Sequence, residues 1–202
     1  MQIQHIIFDL GNVLVNIHPE RAMKGFMGAC GLTEEQVKSF YLSQLHLDFM
    51  SGKYTGEEFY QIMSQRFDCQ IPLQQFKEIW HLVIGTPKPG IPELVKTLAE
   101  RYTLSVLSNT DPWHWEFVKD RDSYLDNFRH YFLSFAMGVN KPDEKIFRLV
   151  LQELDTEPGN CVFIDDTEEN TLAAQKMGFK TIWADNPEEI REKLAQFVTI
   201  NL

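Results

Sequence analysis

The stretch His5-Ile6-Ile7-Phe8-Asp9-Leu10-Gly11 constrains the fold more than any other part of the chain. Ile6 to Phe8 are β-branched or aromatic without a polar break, which predicts a central strand of a parallel sheet that delivers Asp9 to its C-terminal tip. In an open α/β sheet that edge is where ligands bind. A carboxylate held there, followed by Gly11 that lets the backbone approach a ligand, suits a nucleophile facing a phosphoryl group beside a metal ion. It suits a plain βα-turn cap equally well, and these residues alone leave both readings open. What the later strands end in decides between them.

Past the first strand the apolar period becomes helical over 19–83. Thr33 with Gln36, and Thr55 with Glu58, have capping-box spacing. Phe59, Ile62, Met63 and Phe67, and then Phe76, Ile79, Trp80 and Val83, recur at helical intervals. The run Thr86-Pro87-Lys88-Pro89-Gly90-Ile91-Pro92 stops any helix and marks the return from a helical bundle inserted between the first and second strands. A helix through Leu94, Val95 and Leu98 then leads to a strand over 103–107 that ends at Ser108-Asn109-Thr110. A short strand over 131–135 follows, and Lys141-Pro142-Asp143 opens a helix carrying Ile146, Phe147, Val150 and Leu151. A strand over 161–164 ends at Asp165-Asp166, a helix over 169–177 stops at Gly178, and a strand over 181–184 precedes a closing helix over 187–197. Strands alternating with helices predict an α/β fold with a parallel sheet.

The net charge of -10, from 19 basic and 29 acidic residues, argues against nucleic acid or an anionic membrane as the main partner. An anionic substrate must therefore meet a locally positive site. No apolar segment has the length to cross a bilayer, and Met1-Gln2-Ile3-Gln4-His5 lacks the charged start and apolar core of a signal peptide, so the expected compartment is the cytoplasm. Cys30, Cys69 and Cys161 are odd in number and lack metal-ligand spacing, which leads to the expectation of buried reduced thiols. No pattern bears on oligomeric state.

Asp9, Ser108, Lys141 and the pair Asp165/Asp166 each lie just after a predicted strand or in the loop opening the next helix, so a parallel sheet gathers them at one edge. Together they suit phosphoryl transfer. Asp9 attacks phosphorus, Ser108 and the amides around Asn109 donate to phosphate oxygens, and Lys141 neutralises the charge that builds up. Asp9 and Asp166 hold a hard cation, Mg²⁺, with Asp165 as a direct or outer oxygen partner. Taken singly, Ser108 and Asn109 read as a helix cap, Lys141 as a solvated lysine and the paired acids as a turn. Their joint order is what favours a site.

Phe-Asp9-Leu-Gly-Asn-Val, Leu-Ser108-Asn-Thr, Asn-Lys141-Pro-Asp-Glu-Lys-Ile-Phe and Phe-Ile-Asp165-Asp166-Thr-Glu-Glu-Asn resemble the four motifs of the haloacid dehalogenase-like hydrolase superfamily, over nearly the whole chain. The resemblance implies a Rossmann-like core over 1–15 and 88–202 with a helical cap over 16–87. Gly11-Asn12-Val13 and Ser-Asn-Thr-Asp-Pro-Trp-His114 look most like a subgroup that includes bacterial α-D-glucose-1-phosphate phosphatase and the N-terminal domain of epoxide hydrolases. By that resemblance Asp9 is the nucleophile, Lys141 the stabilising lysine, Ser108 and Asn109 phosphate binders, and Asp166 a metal ligand beside Asp165. Asn12 and His114 join the expected substrate-binding set.

The chain departs from the superfamily's phosphatases at Gly11, where they usually carry a second aspartate as general acid and base. The Gly11 carbonyl still serves as a metal ligand, but the proton-carrying side chain is gone. His18, His46, Asp111 and His114 are candidate replacements. Otherwise the enzyme favours leaving groups that need little help, such as the anomeric oxygen of a hexose 1-phosphate. The expected function is a Mg²⁺-dependent phosphatase of a small phosphorylated metabolite acting through an aspartyl-phosphate. A 2-haloacid dehalogenase, whose relatives also lack the second aspartate, and a non-catalytic binding member of the superfamily are the competing readings.

Overall fold

β1 (His5–Phe8) is the middle strand of a five-stranded sheet. It is flanked in parallel by β4 (Thr103–Ser108) and β6 (Cys161–Asp165), with β5 (His130–Leu133) and β7 (Lys180–Trp183) at the two edges. The computed structural model describes residues 2–41 and 43–200; Met1 and Leu202, the outer limits of the expected segments, lie outside the described residues, as do Leu42 and Asn201. Register aligns Phe8 with Val106 on one side and with Ile164 on the other, so Asp9, Ser108 and Asp165 emerge at the same edge.

Alternation across the pleat splits the apolar strand residues between two cores. Ile6, Phe8, Val106 and Ile164 face one, while Ile7, Leu107 and Phe163 face the other. Helix α6 (Ile91–Ala99) and helix α11 (Pro187–Leu194) cover the first face through Leu94, Leu98, Ile190 and Leu194. Helix α9 (Glu144–Leu154) and helix α10 (Glu168–Lys176) cover the second through Ile146, Phe147, Val150 and Ala174. Both faces are therefore covered, as an all-parallel sheet requires. Among the described residues, no helix is long and apolar enough to cross a membrane.

Between β1 and β4 the chain runs through α1 (Pro19–Cys30), α2 (Glu34–Tyr41), α3 (Gln44–Met50), α4 (Gly56–Arg66) and α5 (Leu73–His81). Both expected capping boxes form: Thr33 and Gln36 bond reciprocally, as do Thr55 and Glu58. Phe40, Phe49, Phe59, Phe76 and Trp80 pack this helical segment into a core continuous with one face of the sheet. Two strands absent from the sequence reading bracket it: β2 (Val15–Ile17) pairs antiparallel with β3 (Ile84–Pro87). At Gly52 and Gly56 this segment packs tightly on residues that follow the strand ends. A Cβ on Gly52 would lie 2.0 Å from the Phe135 carbonyl oxygen, and one on Gly56 would lie 2.4 Å from the Trp113 ring.

Other differences from the expected elements are local. The strand expected over 131–135 stops at Leu133, because the chain turns there into the short α8 (Ser134–Met137), where the Ser134 hydroxyl bonds the carbonyls of Met50 and Thr110. Helix α7 (Pro112–Arg121), unread from sequence, starts on Asp111 as its N-cap. The closing helix ends at Leu194. The expectation of three reduced thiols is corrected: Cys30, at the end of α1, and Cys69, after α4, are disulfide-bonded with Cα atoms 4.9 Å apart. An odd count does not exclude one pair, and helix packing brings together residues 39 apart in the chain. Cys161 is the remaining free cysteine among the described residues, and burial pushes its thiol up to about 12.

Candidate active site

Lys141 is the hub of the polar cluster at the sheet edge. Its Nζ donates to Asp9 Oδ1 at 2.7 Å, to Asp165 Oδ2 at 2.6 Å and to the Leu107 carbonyl at 3.0 Å. The loop that carries it is clasped from β4: Asn109 Oδ1 accepts from the Lys141 N–H at 2.8 Å, and Asn109 Nδ2 donates to the Lys141 carbonyl at 2.9 Å. The expected phosphate binder Asn109 therefore has its side chain engaged in fixing Lys141. Ser108 lies beside it, buried, and lines a cavity together with Asp9, Asn109 and Lys141.

Asp165 is fully buried, and both of its oxygens are occupied. Oδ1 accepts from the Thr167 N–H at 2.8 Å and from Asn170 at 3.0 Å, while Oδ2 accepts from Lys141 and, at 3.1 Å, from Asn170. Among the described residues, the Asp166 carboxylate makes one hydrogen bond to another side chain, accepting from Asn12 Nδ2 at 3.1 Å. Asn12 adopts φ 53, a left-handed conformation that asparagine tolerates, and its Oδ1 accepts from the Ile17 N–H. Asn12 thus links the first loop to Asp166 rather than reaching the cavity. Asp9, Asp165 and Asp166 each offer an oxygen within 4.8 Å of the others.

Three carboxylates face one ammonium here. Burial, opposed by Lys141, holds the Asp9 carboxyl above its ordinary value, and burial raises Asp166 as well. Burial alone would lower Lys141, but Asp9 and Asp165 together hold it above the usual lysine value. This excess of negative charge at oxygen donors fits a hard divalent cation. Asp9 Oδ2 is the oxygen turned toward position 11, 3.9 Å from where a Cβ would sit. The space beside Gly11 is taken by Ile17, whose Cγ1 would be 3.1 Å from that Cβ, so an apolar group stands where an acid at position 11 would run.

The four candidate proton carriers separate clearly. His114 Nδ1 lies 2.7 Å from Asp111 Oδ2, and its Nε2 lies 2.9 Å from the Trp80 carbonyl. Trp80 Nε1 donates to the same Asp111 oxygen, and Asp111 Oδ1 caps the His114 N–H. Burial opposes the charge on both, yet their mutual attraction holds His114 above and Asp111 below its ordinary value. Both residues line the cavity, but as a locked ion pair that ties α5 to α7. His18 lies outside the cavity lining, 3.4 Å from Glu20. His46 lines the cavity.

That cavity, of about 310 Å³, lies over Asp9. Its floor is Asp9, Gly11, Ser108, Asn109 and Lys141, and its other wall is supplied by the helical segment, including Tyr41, His46 and Met50. Sequence reasoning named most of the floor but passed over Thr167 and Asn170, which hold Asp165, and Tyr41. The Asn at the fifth place after Asp165 was the available signal for Asn170, since a helix start brings it back over the strand end.

A family model described as haloacid dehalogenase-like hydrolase matches residues 3–178. The D-ribitol-5-phosphate phosphatase of Bacteroides thetaiotaomicron is 24% identical over 200 residues, covering 95% of this chain and 97% of that protein. A HAD family enzyme of the same organism, solved in complex with magnesium and inorganic phosphate, superposes with a TM-score of 0.81 at 29% identity over 90% of this chain and 93% of its own. The (S)-2-haloacid dehalogenase of a Pseudomonas strain is 25% identical, covering 96% of this chain and 88% of that protein.

Proposed function

The chain belongs to the haloacid dehalogenase-like hydrolases, and from that premise we propose that it is a Mg²⁺-dependent phosphatase of a small sugar or polyol phosphate, working through a phosphoryl group carried on Asp9. The observation that carries this reading is the charge imbalance around Lys141. A metal-free pocket for an anionic haloacid is ill served by three clustered carboxylates, whereas a cation makes the same cluster a phosphate site. The relatives solved or described as a magnesium–phosphate complex and as a polyol phosphate phosphatase point the same way. The cavity volume suits a substrate at the small end of the usual ligand range.

Asp9 Oδ2 attacks phosphorus in line with the departing oxygen; the new Asp9–phosphoryl bond forms as the bond to the leaving group breaks. Water then takes the phosphoryl group and restores the carboxylate. Lys141, pinned by Asp165 and Asn109, offsets the charge gathering between Asp9 and phosphorus, and Ser108 binds a phosphate oxygen. Asp9, Asp166 and the Gly11 carbonyl would hold Mg²⁺, which supplies charge neutralisation at the phosphate. Asp165 fixes Lys141 instead of meeting the ion. The segment over 16–87 acts as a helical cap whose inner wall touches the leaving group.

The test is release of inorganic phosphate from matched aryl and alkyl phosphates, with Mg²⁺ and with EDTA, beside a halide-release assay on 2-chloropropionate. Turnover is expected with Mg²⁺ alone, with no halide released. Because position 11 carries no acid and Asp111 and His114 are bound to each other, rates should climb as the leaving group's conjugate acid strengthens. Halide release without phosphate release would select the dehalogenase. Asp166→Ala is expected to raise the Mg²⁺ concentration for half-maximal activity at least about tenfold, since one of few oxygen donors is lost. Unchanged Mg²⁺ binding by calorimetry would leave Asp166 with a structural part only.

A further inference from the structure

The wall of the cavity contributed by 16–87 is carbon at Ile17, Met50, Val83 and Ile84, and among the described residues its polar side chains are Tyr41 and His46. The two are built as a unit. His46 Nδ1 lies 3.1 Å from the Tyr41 carbonyl, the rings meet edge to face at 5.5 Å, and both rest on Trp80. Since a carbonyl only accepts, Nδ1 carries the proton of the neutral imidazole and Nε2 keeps the lone pair. Burial holds His46 below its ordinary value, so this neutral form prevails at neutral pH.

Tyr41 Oη is buried and has no hydrogen-bond partner among the described residues. Burial, helped by the nearby Asp111, raises the phenol and keeps it protonated. Folded proteins rarely leave such a hydroxyl unmatched, and phenylalanine would fill the same space with no polar atom to satisfy. The tyrosine is thus poorly explained by packing.

We propose that Tyr41 Oη and His46 Nε2 recognise hydroxyl groups on the leaving-group portion of the substrate, which deepens the phosphatase reading and rests on it. The two atoms ask for complementary roles: Nε2 needs a donor, and the phenol O–H needs an acceptor. An alcohol hydroxyl supplies both, whereas a carboxylate only accepts and an ammonium only donates. The remaining charged side chains on that side, Asp111 and His114, are held by each other and by Trp80, so the pair is what reads the leaving group.

The experiment compares D-ribitol 5-phosphate with pentyl phosphate, which has the same five carbons and no hydroxyls, by kcat/KM with Mg²⁺ present. Wild type is expected to favour the polyol. Tyr41→Phe should cut the polyol-to-alkyl ratio about five- to tenfold, as should His46→Asn, whose amide still donates to the Tyr41 carbonyl while the ring acceptor is lost. Thermal melting of both variants identifies any that fails to fold, and the other variant then decides. A ratio within twofold of wild type in the folded variants overturns the proposal. Hydrolysis of aryl phosphates without preference for the polyol phosphate over pentyl phosphate overturns this proposal alone, whereas failure on aryl and alkyl phosphates alike defeats the phosphatase reading and this proposal with it.

Discussion

Asp9→Asn is expected to abolish phosphate release, by at least about four orders of magnitude, while leaving the metal-free protein as stable as wild type or more so. The amide keeps the shape and can still accept from Lys141 Nζ, but it is a poor nucleophile. The stability half follows from burial. The Asp9 carboxyl is raised in the folded state, so folding takes up a proton there; that contribution is present below the ordinary carboxylate value and is lost as pH climbs through the raised one. In EDTA, the melting temperature of wild type should therefore fall relative to that of Asp9→Asn between pH 4 and pH 8. Activity near wild type would remove Asp9 from the chemistry, and a variant that melts well below wild type at pH 8 would refute the account of its burial.

Lys141→Ala should be the most damaging single change to the fold as well as to activity. It leaves Asp9 and Asp165, both buried, facing each other without the ammonium that bonds them both. Breaking a buried ionic cluster by removing one member costs about 3–5 kcal/mol, because the charges left behind stay desolvated. Urea unfolding at pH 8 should show that loss, and acid should relieve part of it by protonating the orphaned carboxylates. A second variant separates fold from function: Lys141→Met combined with Asp165→Leu is expected to regain stability with no turnover. Activity retained in the stabilised double variant would show that the lysine serves the structure alone.

The parallel strands and the groups at their tips were legible because each strand is a short apolar run ending abruptly in a polar residue. Ile164 followed by Asp165-Asp166 is the plainest case. The capping boxes at Thr33 and Thr55 were legible for a similarly local reason, since all their partners lie within one turn. The β2–β3 pair was not, because Val15-Asn16-Ile17 and Ile84-Gly85-Thr86-Pro87 are too short and too interrupted to show a period, and exist as strands only by pairing with each other. Helix α7 was not legible because its buried residues, Trp113, His114 and Val118, include a histidine whose burial depends on Trp80, 34 residues away. Whether Asp165 has its oxygens already engaged was left open by the sequence. Asp165 ends the strand and Asp166 lies just past it, and only the positions of Lys141, Asn170 and Asn12 determine which of the two is already satisfied.

The pairing of Val15 with Pro87 has a consequence for how the sheet can assemble. His5 must find Thr103, about a hundred residues later, before the central strands can zip together, and closing so long a span is entropically costly and slow. Once the β2–β3 ribbon closes, the whole helical excursion becomes a side branch, and the span left to search shrinks to roughly thirty residues. The ribbon thus acts as a topological shortcut: the length of the excursion bears on closing the ribbon, where each doubling costs only about 0.6 kcal/mol, and no longer on the search that joins the central strands.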